Sequence, residues 1–227
     1  MRATAVGATA VARRKEGVVA AGSIARMSPE LLGWLASILF ISRLLPQPLR
    51  LVRTGLPEGV SPLAAINAVI SEAAWLLYGL EAGLVPVWAV SFAALVPGVW
   101  TVVLLRHQVR RGDLARASLW LAVIVAAWFA GRLGVVLGVS VLVSIGPQVW
   151  TAIRSPDLRG LSLFTWLLAI GDAVLWGAYG LVVGDGALLG YAAVLLTGAA
   201  IVIVRMVQTR SITIGRDAVP APALEAV

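Results

Sequence analysis

Seven apolar stretches fill most of the chain between residues 31 and 207: 31–49, 62–80, 84–105, 114–130, 133–153, 161–183 and 187–207. Runs of that length match a bilayer core of about 30 Å at the 1.5 Å rise of a helix. No water is at hand there for peptide N–H and C=O groups, so each run satisfies its own backbone by coiling. Charged residues make up 13% of the chain, against about 25% in a soluble domain. An all-α integral membrane protein with seven transmembrane helices is expected.

The stretches are not independent. Pro46-Gln47 recurs 101 positions later as Pro147-Gln148, and at the same shift Arg53 meets Arg154, Ser61 meets Ser162, Trp75 meets Trp176 and Tyr78 meets Tyr179. Gly79 meets Gly180 and Gly83 meets Gly184, all without a gap. The fourth stretch has no counterpart. Two three-helix bundles joined by one extra crossing therefore run parallel, because an odd linker inverts the second copy. The expected organisation is a basic, disordered tail over 1–29, a first bundle over 30–106, a linker with the fourth helix over 107–131, a second bundle over 132–208 and a tail over 209–227. Ser28-Pro29-Glu30 after Met27 reads as a helix start, so the first 26 residues are read as a disordered tail or a misassigned beginning. Two equivalent bundles with a site between them form a transporter's plan.

The paired Pro-Gln dipeptides, each followed by Ser, then Trp, then Tyr-Gly, resemble the PQ-loop transporters, and within them the SWEET and SemiSWEET sugar facilitators. The second copy, with Gly146-Pro147-Gln148-Val149 and Leu175-Trp176, carries the likeness best. The resemblance spans roughly residues 31–207 and implies alternating access at the interface of the repeats, with sugars as the substrate class. It also implies hinge prolines on four helices: Pro46, Pro62 and Pro147 match, whereas the fourth position holds Leu163. The motif has a physical logic of its own. Proline lacks the N–H that would close the preceding turn and so frees a carbonyl inside the membrane. Gln47 and Gln148 offer donors and acceptors beside it.

Asn67, Ser71, Trp75 and Tyr78 fall on one helical face, and Asp172, Trp176 and Tyr179 fall on the equivalent face of the second copy. Two stripes of aromatic and small polar groups suit the apolar faces and hydroxyls of a sugar. The same tryptophans also fit the bland part of packing helices or sitting at the interface. The resemblance further implies an Asn on the third and seventh helices. Ser91 and Ala192 stand there instead, which opens the substrate to other small polar solutes. Asp172 costs roughly 2.5 kcal/mol or more to place in a membrane. It reads as an acceptor for hydroxyls, a counter-ion for a cationic solute, a proton-coupling group, or a structural partner for nearby donors. Glu72 lies about 100° round the helix from that stripe and reads as packing.

Basic residues gather on one side, at Arg43, Arg50, Arg53, Arg106, Arg110, Arg111, Arg116, Arg154, Arg159, Arg205, Arg210 and Arg216, while two short loops opposite carry Glu81 and Asp185. Cytoplasmic loops collect such cations, so the expected topology is N-terminus outside and C-terminus cytoplasmic, in the cell membrane. The net charge of +7 then points to anionic lipid headgroups and not to nucleic acid. There is no cysteine, and the single histidine, His107, reads as an interfacial loop residue. With no Ser/His/Asp set, metal cluster or phosphate-binding loop in the pattern, no enzymatic activity, metal or cofactor is expected. The expected partners are a small polar solute, the bilayer and, as an allowed state, a second copy of the chain. A receptor of the same fold that reads a ligand without moving it is the alternative class.

Overall fold

The computed structural model describes residues 28–54, 61–155, 158 and 161–209. The expectations for the two tails lie outside the described residues, as do Arg159 and the side chains of Gln47 and Arg50.

The described elements are helical, and no strand occurs among the described residues. They are α1 (Pro29–Leu44), α2 (Pro46–Thr54), α3 (Pro62–Glu81), α4 (Val85–Leu104), α5 (Arg111–Phe129), α6 (Leu133–Arg154), α7 (Leu163–Val183) and α8 (Gly186–Gln208). A short 3₁₀ turn, Arg106–Gln108, joins α4 to α5, and there His107 accepts from Arg106 Nε at 3.0 Å. Helices α3 to α8 are six elements long and apolar enough to cross a bilayer. Large apolar side chains face outward, Phe129 at 83% and Leu181 at 71% exposure among them. Such a surface is a liability in water and suits lipid. The chain is an all-α, multi-pass membrane protein.

One boundary differs from expectation. The stretch read as a single helix over 31–49 is two, α1 and α2, meeting at Leu45. Pro46 and Pro48 remove two amide donors within three positions, which uncouples the turns on either side. Leu45 itself stays near helical geometry, with φ −64° and ψ −37°. The second copy has Val149 in place of Pro48, and α6 runs without interruption from Leu133 to Arg154 through Pro147. At 16 residues α1 spans about 24 Å on its own.

The repeated residues each have a local task. Ser61 and Ser162 are the N-caps of α3 and α7, accepting from the amides of Ala64 at 3.3 Å and Thr165 at 3.4 Å. Gly83 and Gly184 turn the chain at φ +68° and +72°, a left-handed conformation in which a Cβ is strained. Gly79 and Gly180 let the next helix start against the backbone. A methyl at Gly79 would lie 2.7 Å from the Trp88 amide nitrogen, and one at Gly180 2.9 Å from Leu188 Cβ. The shared Tyr-Gly and Gly are thus the hairpins α3–α4 and α7–α8. Arg154 stacks on Trp150, 4.0 Å from the ring centroid, whereas Arg53 is exposed.

Packing follows the same repetition. Helix α4 packs against both α1 and α3, and α8 against both α6 and α7. Across the two sets α1 meets α7 and α3 meets α6, which are equivalent pairs at the 101-residue shift. Helix α5 lies on α3 and α6. The turns at Gly83, Gly131 and Gly184 collect at one end, the turn end; the opposite end carries most of the arginines. Buried positions of α1 are Leu32, Gly33, Ala36 and Ser37, and those of α3 are Ala74, Trp75 and Gly79. Both sets lie on the turn-end side of their helices. Nearer the basic end the positions of α1 and α3 are half-buried or exposed, while Trp166 of α7 and Ala152 of α6 stay buried there.

Candidate functional site

At the turn end close contacts and side-chain bonds tie the helices together. Gly33 has no room for a methyl, which would fall 2.5 Å from the Pro86 ring and 3.2 Å from the Tyr179 ring. Ser37 Oγ donates to the carbonyls of Gly33 at 2.8 Å and Pro86 at 3.3 Å, tying α1 to α4. Tyr78 Oη donates to Asp185 Oδ2 at 2.6 Å, joining α3 to the start of α8. Asp185 Oδ1 meanwhile accepts from the Leu188 amide at 2.9 Å and caps α8. Beside this latch, Trp128 Nε1 donates to Glu81 Oε1 at 2.8 Å and fixes α5 to the end of α3.

Beneath that seal lies a cavity of about 40 Å³, bordered by Phe40, Glu72, Trp75, Ser91, Trp176 and Tyr191 on five helices, with Val87, Val90 and Leu188 between them. A water needs some 10–15 Å³ of such volume, so the cavity has room for water but not for the occupant of a pocket of about 300 Å³. Trp75 meets Tyr191 edge-to-face at 6.0 Å and Tyr78 at 5.7 Å; Trp176 meets Tyr179 in the same way at 5.9 Å. Glu72 stands against Ser91.

Asp172 forms the adjoining polar centre and is fully buried. Its Oδ2 takes the Arg43 guanidinium at 2.6 Å and the Tyr191 hydroxyl at 2.9 Å, while the Trp176 side chain borders the carboxyl. Its Oδ1 has no hydrogen-bond partner. Arg43 comes from the last turn of α1, with its guanidinium 6.0 Å from the Phe40 ring. A carboxylate withdrawn from water is held here by a cation from the opposite unit, and removing either partner strands the other.

The structure brings together Trp75, Ser91, Trp176 and, through Tyr191, Asp172. It places the remaining expected residues elsewhere. Ser71 accepts from Trp120 Nε1 at 3.1 Å and so faces α5. Asn67 lies on α3 toward the basic end, away from the cavity lining, with a buried Oδ1 that accepts nothing. Ala192 is buried against Gly177 of α7. Pro62 is the first residue of α3, directly after its cap, where a missing N–H disrupts no turn. Pro147 is inside α6, Gln148 is exposed, and Pro46 starts α2. Pro97, inside α4, is a further interior proline. Glu72, read from sequence as packing, borders the cavity instead, and Arg43, read as an orientation signal, reaches Asp172. The signal for Glu72 was its position three residues before Trp75 on α3, which is one turn.

Together these features define a multi-pass α-helical membrane protein with a small, partly open cavity among its helices, beside a buried ion pair. No protein-family model matches the chain, and no curated protein sequence matches it.

Proposed function

We propose that the chain is a carrier of small polar solutes that works by alternating access between two three-helix units, in the manner of the PQ-loop and SWEET-like transporters it resembles. In this reading α1 with α2, α3 and α4 form the first unit, α6, α7 and α8 the second, and α5 is the inverting linker, giving seven crossings. The observation that carries the reading is the place of the cavity: its lining comes from both halves of the repeat, and the Tyr78–Asp185 bond ties the turn end beside it. Pro46 and Pro147 are the hinges, set in equivalent helices of the two units. The N-terminus lies outside and the C-terminus in the cytoplasm, so the sealed turn end faces out and the conformation is the inward-facing one.

Sugars are the substrate class that the resemblance implies. Cationic solutes, amino acids included, are the second reading, favoured by the two carboxyls at the site. Uptake into liposomes of a panel of sugars and amino acids, with and without a pH gradient, tests the proposal. Flux of one class is expected, and flux of none overturns it. Unchanged flux at every pH in Asp172→Asn removes proton coupling through that group. Normal flux in Trp176→Ala moves the site elsewhere.

A further inference from the structure

We propose that the cavity between the units recognises an organic monocation without a carboxylate, an alkylated or quaternary ammonium, with Glu72 as its counter-ion. The inference rests on the carrier reading only for transport; the recognition itself rests on the lining.

Among the described residues, two carboxyls and one arginine, Arg43, meet at the site. Arg43 is taken by Asp172 at 2.6 Å, and among the described residues no basic side chain forms an ion pair with Glu72. The paired charges of Arg43 and Asp172 cancel, which leaves the carboxyl of Glu72 over. Around it stand two indoles, a phenol and a phenyl, from Trp75, Trp176, Tyr191 and Phe40. Aromatic rings attract cations through their negative faces, and cages of this make-up suit methylated ammonium groups, whose charge is spread over a greasy surface. The remaining polar groups do not favour the rivals. The Tyr191 hydroxyl is committed to Asp172, and Ser91 stands where an amide would grip sugar hydroxyls better. A zwitterionic amino acid brings a carboxylate to a place where the one cation is already engaged.

The 40 Å³ cavity is partly open and must widen to take any of these ligands. Purified protein in detergent, and the same protein in liposomes, is given radiolabelled choline with tetramethylammonium, glucose and 3,3-dimethylbutan-1-ol as competitors. The last has the shape of choline without its charge. Tetramethylammonium is expected to displace choline and the neutral alcohol to be at least about tenfold weaker. Glu72→Gln, which keeps the shape, is expected to lose about tenfold in choline affinity with its thermal unfolding little changed. The comparison of choline with its neutral isostere needs no variant and holds if Glu72→Gln fails to fold. Equal competition by the alcohol, displacement by glucose, or absent choline binding overturns the inference. Choline binding without flux upholds it and overturns the carrier reading. Sugar flux with no choline binding does the reverse.

Discussion

The two copies of the 101-residue repeat share a frame and differ in chemistry. Both start their second helix from a serine cap, both turn on a left-handed glycine, and both set a tryptophan edge-on to a tyrosine one turn later. Yet the first unit breaks its first helix at Pro46 while the second runs through Pro147, and a single extra proline, Pro48, separates the two outcomes. At the interfaces between the units, α1–α7 carries the ion pair of Arg43 with Asp172. The equivalent pairing of α6 with α3 offers Ser144 and Ser71, and these turn to other partners, the Val141 carbonyl and the Trp120 indole. The matched positions serve the backbone alike, and the contacts between the copies differ.

The widest gap between the units is the ion pair. Arg43→Ala leaves a buried carboxylate unpaired and is expected to cost about 3–5 kcal/mol, whereas Ser144→Ala at the matching place costs about 1 kcal/mol or less. Unfolding of the detergent-solubilised variants measures both. Equal losses would mean that the ion pair is not what distinguishes the interfaces. The double variant Arg43→Leu/Asp172→Leu should recover most of the stability, since matched apolar groups often replace such a pair without loss.

The hairpin glycines come next. Gly79→Ala sets a methyl 2.7 Å from the Trp88 backbone, while Gly180→Ala meets the Leu188 side chain at 2.9 Å. Overpacking costs about 1–3 kcal/mol, and the first substitution should sit at the top of that range because a backbone amide has less room to move aside. A larger loss in Gly180→Ala would reverse the ranking. Tyr78→Phe deletes the hydroxyl that closes the turn end and should cost about 1.5–3 kcal/mol, as expected for a bond to a charged acceptor. Tyr179→Phe breaks no recorded bond of that kind. Labelling of a cysteine introduced at Ser91, with the reagent added from the turn-end side, should speed up in Tyr78→Phe alone. The smallest contrast is at the caps. Ser61→Ala and Ser162→Ala each lose about 0.5–2 kcal/mol, with Ser162 the costlier, because Pro62 holds the start of α3 in helical φ and Leu163 gives α7 no such help.

These contrasts also mark what the sequence made legible. The apolar runs were readable at once, because helix extents follow closely from local hydropathy, whereas Ser61 and Gly83 stood out in the sequence only as repeated positions and the structure gave them their tasks as cap and turn. The pair Arg43–Asp172 was not, because its members are 129 positions apart and meet only when α1 lies on α7. Ser71 and Glu72 show a subtler limit. The stripe through Asn67, Ser71 and Trp75 describes a face of α3, and two neighbours claim that surface. Helix α5 takes Ser71 through Trp120, which turns Glu72 toward the cavity. The linker has no counterpart in the repeat, so self-comparison carried no information about which residues it covers. Pro62 shows a different limit, since a proline looks alike in sequence whether it opens a helix, as here, or bends one.

Asp185 has a consequence of its own. One oxygen is engaged by the amide at the start of α8 and the other by the Tyr78 hydroxyl. When the turn end parts, the first contact belongs to its own helix and need not break. The acceptor therefore stays oriented, like the fixed half of a door catch, and only the tyrosine has to find its place again. Such a catch re-engages without reorganising the frame that holds it, and the protein can cycle through the sealed state many times while the start of α8 stays the same.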